Sequence, residues 1–445
     1  MLRWTRFPAF ALALLPLLAL HAQSLSVADG RRGDLAAFRR DFFARDNSYS
    51  PDHRAQATEM LARLEAQVAT VTPAHFELEL ARIVALADNG HTNSPAVFRS
   101  RRYARVPVRF VPFGDQFYIL RADTAHADLL GARLLSIDGK SLREVRDVAH
   151  TLWGGTPSWR DRFVPFFLES PDQMQTLGIA SRGDAATYRL ELRGGRTVER
   201  RIVADPPNAG REFWGTSRWL YPDPLTDDAG AWRSLARADR TPWAFQEVTK
   251  SFRTRAVPEL DAFIVMFRAN RDAGQSIAEF QAMASDEIRR VRPQHLILDM
   301  RLNGGGDLNT TRDFAKSLPL LASGRIFILT SPWTFSAAIS TVGYVKQAGG
   351  DRVTIVGEMV GDRLEFWAEG SLARFPYSGA AASFSTERHD YRNGCKAFND
   401  CHGSVVRNPI SVSSLAPDIE APLTIEAFIA GRDPGMEAIA KAIRR

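Results

Sequence analysis

Apolar residues at helical spacing mark the first part of the chain. Met60, Leu61, Leu64 and Val68 recur about once per turn, and after Thr72 and Pro73 so do Phe76, Leu80, Ile83, Val84 and Ala87. The pattern predicts a helical segment over residues 23–98, whose last long helix runs out at Asn89-Gly90 and leaves His91 on the emerging loop. From about Tyr103 to Ala204 the period shortens to that of strands. "VPVRFVPFGDQFYILRA", "ARLLSIDGKSL" and "TYRLELRGGRTVERRIV" are β-runs broken by Gly and Asp-Gly turns, so residues 99–206 form a β-rich domain. Residues 207–244 carry Pro, Trp and Asp without a period and are expected to be a linker with local structure, its Trp residues covering core. Beyond Trp243, strand and helix alternate: "AFIVMFRA", "IAEFQAMASDEIRRV", "HLILDM", "TTRDFAKSLPLL", "RIFILT", "FSAAISTVGYVKQA" and "RVTIVGE". Strands joined by helical crossovers predict a mostly parallel sheet covered on both faces, so residues 207–445 are assigned to an α/β core.

At 445 residues the chain exceeds the size of a single core, which supports this division. A hydrophobic fraction of 45% with 24% charged residues is that of a globular protein. The formal charge of +6 is too small and too dispersed for a nucleic-acid partner. Residues 1–22 have the form of a signal peptide: Arg3 and Arg6, then an apolar run from Phe10 to Leu20, then small Ala22 before the cut. The apolar run is too short for a membrane span and no later segment qualifies, so a periplasmic or secreted protein without stable membrane insertion is expected. In such a compartment the two cysteines, Cys395 and Cys401, are expected to pair. The small loop they close is worth about 2 kcal/mol, enough to stiffen it locally.

Chemistry in parallel α/β sheets gathers beyond the carboxyl ends of strands, and two loops stand there. In "DMRLNGGGD", Gly304, Gly305 and Gly306 lead into a helix beginning near Asn309, which suits an oxyanion hole and lacks the lysine and hydroxyl of a phosphate loop. Asp299 and Arg301 read as a structural charge pair. In "TSPWTFSAAIS", Ser336 opens an apolar helix of small residues ending at Gly349-Gly350. A hydroxyl there sits at the positive end of the helix beside the N–H of Ala337; the competing role is a plain N-cap. The histidines form no metal-binding grouping, and no metal or cofactor is expected.

The order "HLILDMRLNGGGD", "FSAAIS", "VTIVGE" and "LAPDIEAPLTIEAFIAGRDPGMEAIAKAI", together with "LARIVALADNGHT" in the helical segment, resembles the serine peptidases of the tail-specific, C-terminal processing and tricorn group, the S41 peptidases. "GARLLSIDGKSLREV" resembles the centre of a PDZ domain. The resemblance implies a crotonase-like (ClpP/crotonase) α/β core with an N-terminal helical segment and a PDZ-like β-rich domain. Carried over by position, Ser336 matches the nucleophile, His91 the general base, and Gly305 and Ala337 the oxyanion donors. Two departures stand out. "GEMVGDRL" puts Asp362 where the serine-lysine branch has its lysine, and Gly90 and Ser411 replace the serine and glutamate that flank the site in the tricorn-like branch. That leaves Glu358 and Glu387 as candidates to orient His91. His389 and His402, near the cysteine loop, are expected to be solvent-exposed loop residues.

The function this implies is an exported serine endopeptidase acting on peptides or unfolded protein segments through an acyl-enzyme, with the β-rich domain adding a peptide as a strand. The alternative is a noncatalytic protein binding a small ligand or peptide on the same scaffold, because fold does not dictate function. Oligomeric state is not encoded in these patterns.

Overall fold

The structure, a computed structural model, describes residues 26–207, 215–225 and 230–445. The expected signal peptide lies outside the described residues. Among the described residues no helix is long and apolar enough to cross a membrane. The chain forms a mixed α/β fold: a helical segment opens it, two large sheets follow, and further helices pack on both faces of the second.

Helices α1 (Val27–Ala37), α2 (Pro51–Ala66) and α3 (Pro73–Ala85) open the chain, each capped by a side-chain hydroxyl: Ser26, Ser50 and Thr72 accept from backbone amides of the first turn. The α3 helix stops sooner than Asn89-Gly90. Its C-cap is Leu86, and Asp88 takes a left-handed conformation (φ 46°) that turns the chain towards His91. The apolar faces of these helices pack on a hairpin much later in sequence, with Phe38, Phe42 and Phe76 meeting Phe375 and Phe384.

The first sheet is antiparallel. It comprises β1 (Val108–Phe113), β2 (Gln116–Asp123), β3 (Arg133–Ile137), β4 (Lys140–Ser141), β5 (Ala185–Glu191), β6 (Thr197–Val203) and β7 (Trp232–Ser234), in the order β1-β2-β3-β5-β6 with β4 on β3 and β7 on β2. The stretch read as a linker thus contributes a strand to this sheet. Its Trp219, Leu220 and Tyr221 are buried against Val111, Phe113, Phe245 and Phe428, so they cover core as expected.

The second sheet contains β8 (Phe252–Val257), β9 (Ala262–Phe267), β10 (His295–Asp299), β11 (Ile326–Thr330) and β12 (Val353–Gly357), with the short Ile419–Glu420 at its far edge. From β9 onward every neighbour is parallel; β8 is antiparallel to β9 and forms the other edge. Alternate residues face opposite layers. Val265, Leu296, Leu298 and Ile328 pack on one side with the helices Ile277–Val291, Leu308–Leu321 and Ala337–Gly349, while Ile264, Ile297, Phe327 and Leu329 meet Ile439 of the last helix, Pro434–Ile443. Two further hairpins follow, β13 (Glu365–Ala368) with β16 (Glu387–Asp390), and nested between them β14 (Ser371–Arg374) with β15 (Ala381–Phe384). Cys395 and Cys401 are joined by a disulfide with Cα atoms 6.0 Å apart, as their proximity predicted.

The carboxyl end of β10 is anchored by the pair expected from sequence. Arg301 donates to both oxygens of Asp299 (2.6 and 3.0 Å) and to both of Asp433 (2.8 and 3.0 Å), the N-cap of the last helix. Burial opposes the guanidinium charge, yet the two carboxylates raise its pKa above the ordinary value, so the ion triad is held charged. Removing one partner strands a buried charge. Asp299→Asn should therefore lower stability by about 3 kcal/mol, read as the shift in a urea unfolding curve.

Candidate active site

The loop after β10 and the turn after β11 are stitched together by their backbones. Asn303 accepts the Phe335 amide on its carbonyl (3.0 Å), Thr334 donates its hydroxyl to Met300 (2.9 Å), and Ser331 donates to the Arg301 carbonyl (2.5 Å). Asn270, fully buried after β9, closes the arrangement from below. Its amide donates to the Gly305 carbonyl (2.9 Å), its carbonyl accepts from Asp307 (2.8 Å), and its side-chain NH2 donates to Ala337 O, Thr311 and Thr341. These bonds bring Gly305 against Ser336. A Cβ on Gly305, which has φ 95°, would lie 2.6 Å from Ser336 Cβ and 3.0 Å from the Ala337 nitrogen. Only glycine fits that approach.

Ser336 begins the helix Ala337–Gly349 in a conformation rare for a residue with a side chain, φ 58° and ψ −131°. Its hydroxyl makes no capping bond, so the plain N-cap role is not taken. The amides of Ala337 and Gly306 have no acceptor among the described residues, whereas the Gly305 amide donates to Asn303 Oδ1 (2.8 Å). Of the glycine loop, the N–H groups of Gly304 and Gly306 are thus free among the described residues, and that of Gly305 is not.

His91 reaches this edge from the other end of the chain. Asn89 pins its loop by exchanging hydrogen bonds with the backbone of Trp367 in β13 (3.0 and 3.1 Å). The imidazole is sandwiched between Phe335, the neighbour of Ser336 (centroids 4.3 Å apart), and Phe366 (5.2 Å, nearly parallel). Its Nδ1 stands 3.6 Å from Asp362 Oδ2. Both imidazole nitrogens and that carboxylate oxygen are buried without a hydrogen-bond partner, and no hydrogen bond joins His91 to Ser336. Gly90 is explained by the same crowding: a Cβ there would meet the Phe335 ring at 2.9 Å and Asp362 Oδ2 at 3.0 Å. The serine of the tricorn-like pattern has no room.

The carboxylate beside His91 is thus Asp362, and neither Glu358 nor Glu387 stands there. Glu387 is paired elsewhere, its Oε2 accepting from His402 Nδ1 at 2.6 Å. Glu358 follows β12 and lies behind Trp333, where burial pushes its carboxyl up to about 7 despite a bond from the Leu423 backbone. Nor is His389 a loop residue. It is buried in β16, stacked between Phe366 (4.9 Å) and His402 (5.3 Å), with Glu369 3.2 Å from its Nε2 and Tyr391 2.9 Å from its Nδ1; burial pushes its pKa down. The sequence signal for Asp362 was its place in "GEMVGDRL"; Asn270 carried no signal short of the fold. Among the described residues no group of His, Cys, Asp and Glu is arranged to hold a metal ion.

No family model and no curated protein sequence matches the chain. Among solved structures, mature CPAF aligns at a TM-score of 0.58 and 14% identity, over 94% of this chain and 97% of that one. Mature CPAF complexed with lactacystin gives 0.55 at 15% identity, over 94% and 98%. The chain has the fold of CPAF. The likeness spans both sheets and the helical segment, so the loops bearing Gly305, Ser336 and His91 belong to one continuous architecture rather than to a shared fragment.

The raised Glu358 carboxyl has a measurable consequence. Unfolded, it would release its proton near 4.3, whereas folded it holds it to about 7, so the folded state binds more protons between these values and loses stability as pH rises through them. Glu358→Gln should shrink the stability difference between pH 5 and pH 8 by about 1–2 kcal/mol, checked by urea titration at both.

Proposed function

We propose that this chain is an exported serine endopeptidase of the S41 type, cutting peptides or unfolded protein segments through an acyl-enzyme. The observation that carries the reading is Ser336: a non-glycine residue held at φ 58°, its hydroxyl uncapped, beside a free helix-terminal amide. Such backbone strain costs on the order of 1–3 kcal/mol and persists where it presents a side chain for chemistry. The reading takes residues 23–98 as a helical domain, 99–206 as a PDZ-like domain and 207–445 as a crotonase-like core. A disulfide supports export, since such bonds persist in oxidising compartments.

In this mechanism Ser336 Oγ attacks the scissile carbonyl carbon while His91 Nε2 takes its proton. The Ala337 amide and the glycine loop receive the oxyanion. We assign the second donor to Gly306, or to Gly305 if its amide leaves Asn303. Collapse breaks the C–N bond, the imidazolium returns its proton to the leaving amine, and water then hydrolyses the ester by the same route. Asp362 orients the imidazole: its free Oδ2 and the free Nδ1 need to move together by less than 1 Å to form a hydrogen bond. The Phe335 and Phe366 rings hold the imidazole plane during that movement.

A fluorophosphonate probe should label wild type at Ser336, located by mass spectrometry, and cleavage of unfolded casein should fall by about four to six orders of magnitude in Ser336→Ala. Ser336→Gly should be as inactive yet more stable by about 1 kcal/mol, because glycine accepts φ 58° without strain. Asp362→Asn should keep the fold and lose about two to four orders of magnitude in kcat. A wild type that neither labels nor cleaves would leave the noncatalytic binding protein as the reading.

A further inference from the structure

A cavity of about 270 Å³ opens between the β1–β2 turn, the short helix Pro157–Asp161 and the Pro332–Trp333 turn, a few residues before Ser336. Its walls are chiefly apolar, with Trp333 and Leu423 prominent. The charges around it are not balanced. Arg146 and Asp161 neutralise one another through two bonds of 2.6 Å, and His150 adds a third contact to Asp161 at 2.8 Å. Asp115 is exposed on the outer turn, and Glu358 is kept largely protonated below neutrality by burial. What remains is Arg162. No carboxylate lies within ion-pair distance of it among the described residues, its Nε is buried with no acceptor, and its guanidinium makes one long bond, from Nη1 to the Pro332 carbonyl (3.3 Å). Burial alone pushes its pKa down to about 9.

Arg162 is half-buried, and a guanidinium that meets only a ring and one long carbonyl bond on an apolar wall gains from an anion that completes it; its planar fork of donors matches a carboxylate. The position matters too. Arg162 stacks on Trp159 (4.1 Å), Trp159 on Phe335 (3.5 Å), and Phe335 on His91 (4.3 Å), so the cavity adjoins the proposed reaction centre through one continuous column of rings.

We propose that this cavity is a specificity pocket in which Arg162 binds a carboxylate of the substrate on an apolar stem, either an acidic side chain or a chain end. The proposal rests on the peptidase reading for the word substrate, but the binding itself does not require hydrolysis. A purely structural arginine, satisfied by Trp159 and the Pro332 carbonyl, would affect folding without discriminating an acid from its amide.

The test uses 4-phenylbutyrate and 4-phenylbutyramide, titrated calorimetrically into full-length wild type and Ser336→Ala. The acid should bind at least tenfold more tightly than the amide to both proteins, and the ratio should collapse towards one in Arg162→Gln. The acid, and not the amide, should also protect Arg162 of wild type from phenylglyoxal, mapped by mass spectrometry, a readout that needs no variant to fold. Cleavage of two peptide sets, one with internal Glu or Gln and an amidated end, the other with a free or amidated end and no acid, then assigns the carboxylate to side chain or terminus. Equal binding of acid and amide by wild type, or an acid preference that survives Arg162→Gln, would overturn the proposal. Tight acid binding without fluorophosphonate labelling of Ser336 would instead sink the peptidase reading and leave the carboxylate site standing.

Discussion

The contact of Gly305 with Ser336 is the constraint around which the rest of the structure is arranged. Two backbones approach so closely that no side chain fits on Gly305, and both are held at positive φ, 95° at Gly305 and 58° at Ser336. Nothing local maintains that. The loop is fixed from beneath by Asn270, whose peptide pairs with it and whose side chain reaches the helix behind Ser336, and from the side by the ion triad of Asp299, Arg301 and Asp433. Three consecutive parallel strands, β9, β10 and β11, deliver these groups to one edge. The sheet therefore supplies position, and the buried polar groups supply precision.

His91 arrives by a different logic. No strand of the parallel sheet carries it; it depends on the helical segment packing on the hairpin β14–β15 and on Asn89 gripping β13. Its orientation is set by stacking, which fixes a plane, and by Asp362, which defines one direction within the plane. Such a site can be complete only when segments from both ends of the chain are folded.

The legible part of the fold was the part ruled by periodicity. Parallel strands buried on both faces read as apolar runs, so β9 to β12 and their helices were visible, as were the loops at their ends. The β8 strand and the hairpins β13–β16 and β14–β15 are short or mixed in burial, and their partners are remote, so no local pattern announces them. Glu358 and Glu387 have no place beside His91. What places Asp362 there is three-dimensional: Gly361 packs so closely on the turn before Ser336 that a Cβ would lie 2.5 Å from the Pro332 carbonyl, and the next residue, Asp362, stands against Gly90. His389 has a polar neighbourhood close to a disulfide loop, which reads as exposed, yet the pairing of β16 with β13 buries it.

Three histidines stack in one column, each with its own carboxylate, and the column raises the question of which one works. His389 is engaged on both sides, by Tyr391 at Nδ1 and by Glu369 facing Nε2, and Tyr391 is bonded onward to Ser340. His402 is already closed onto Glu387 at 2.6 Å. A ring bonded at Nδ1 to a partner, as His389 is to Tyr391 and His402 to Glu387, must break that bond before it can exchange a proton there. Of the three, only His91 is unbonded at both nitrogens, and its Nδ1 faces a free carboxylate oxygen of Asp362. On the proposed peptidase reading this difference favours His91 as the base, and the unbonded atoms at His91 and Asp362 leave a hydrogen bond to be completed when substrate binds.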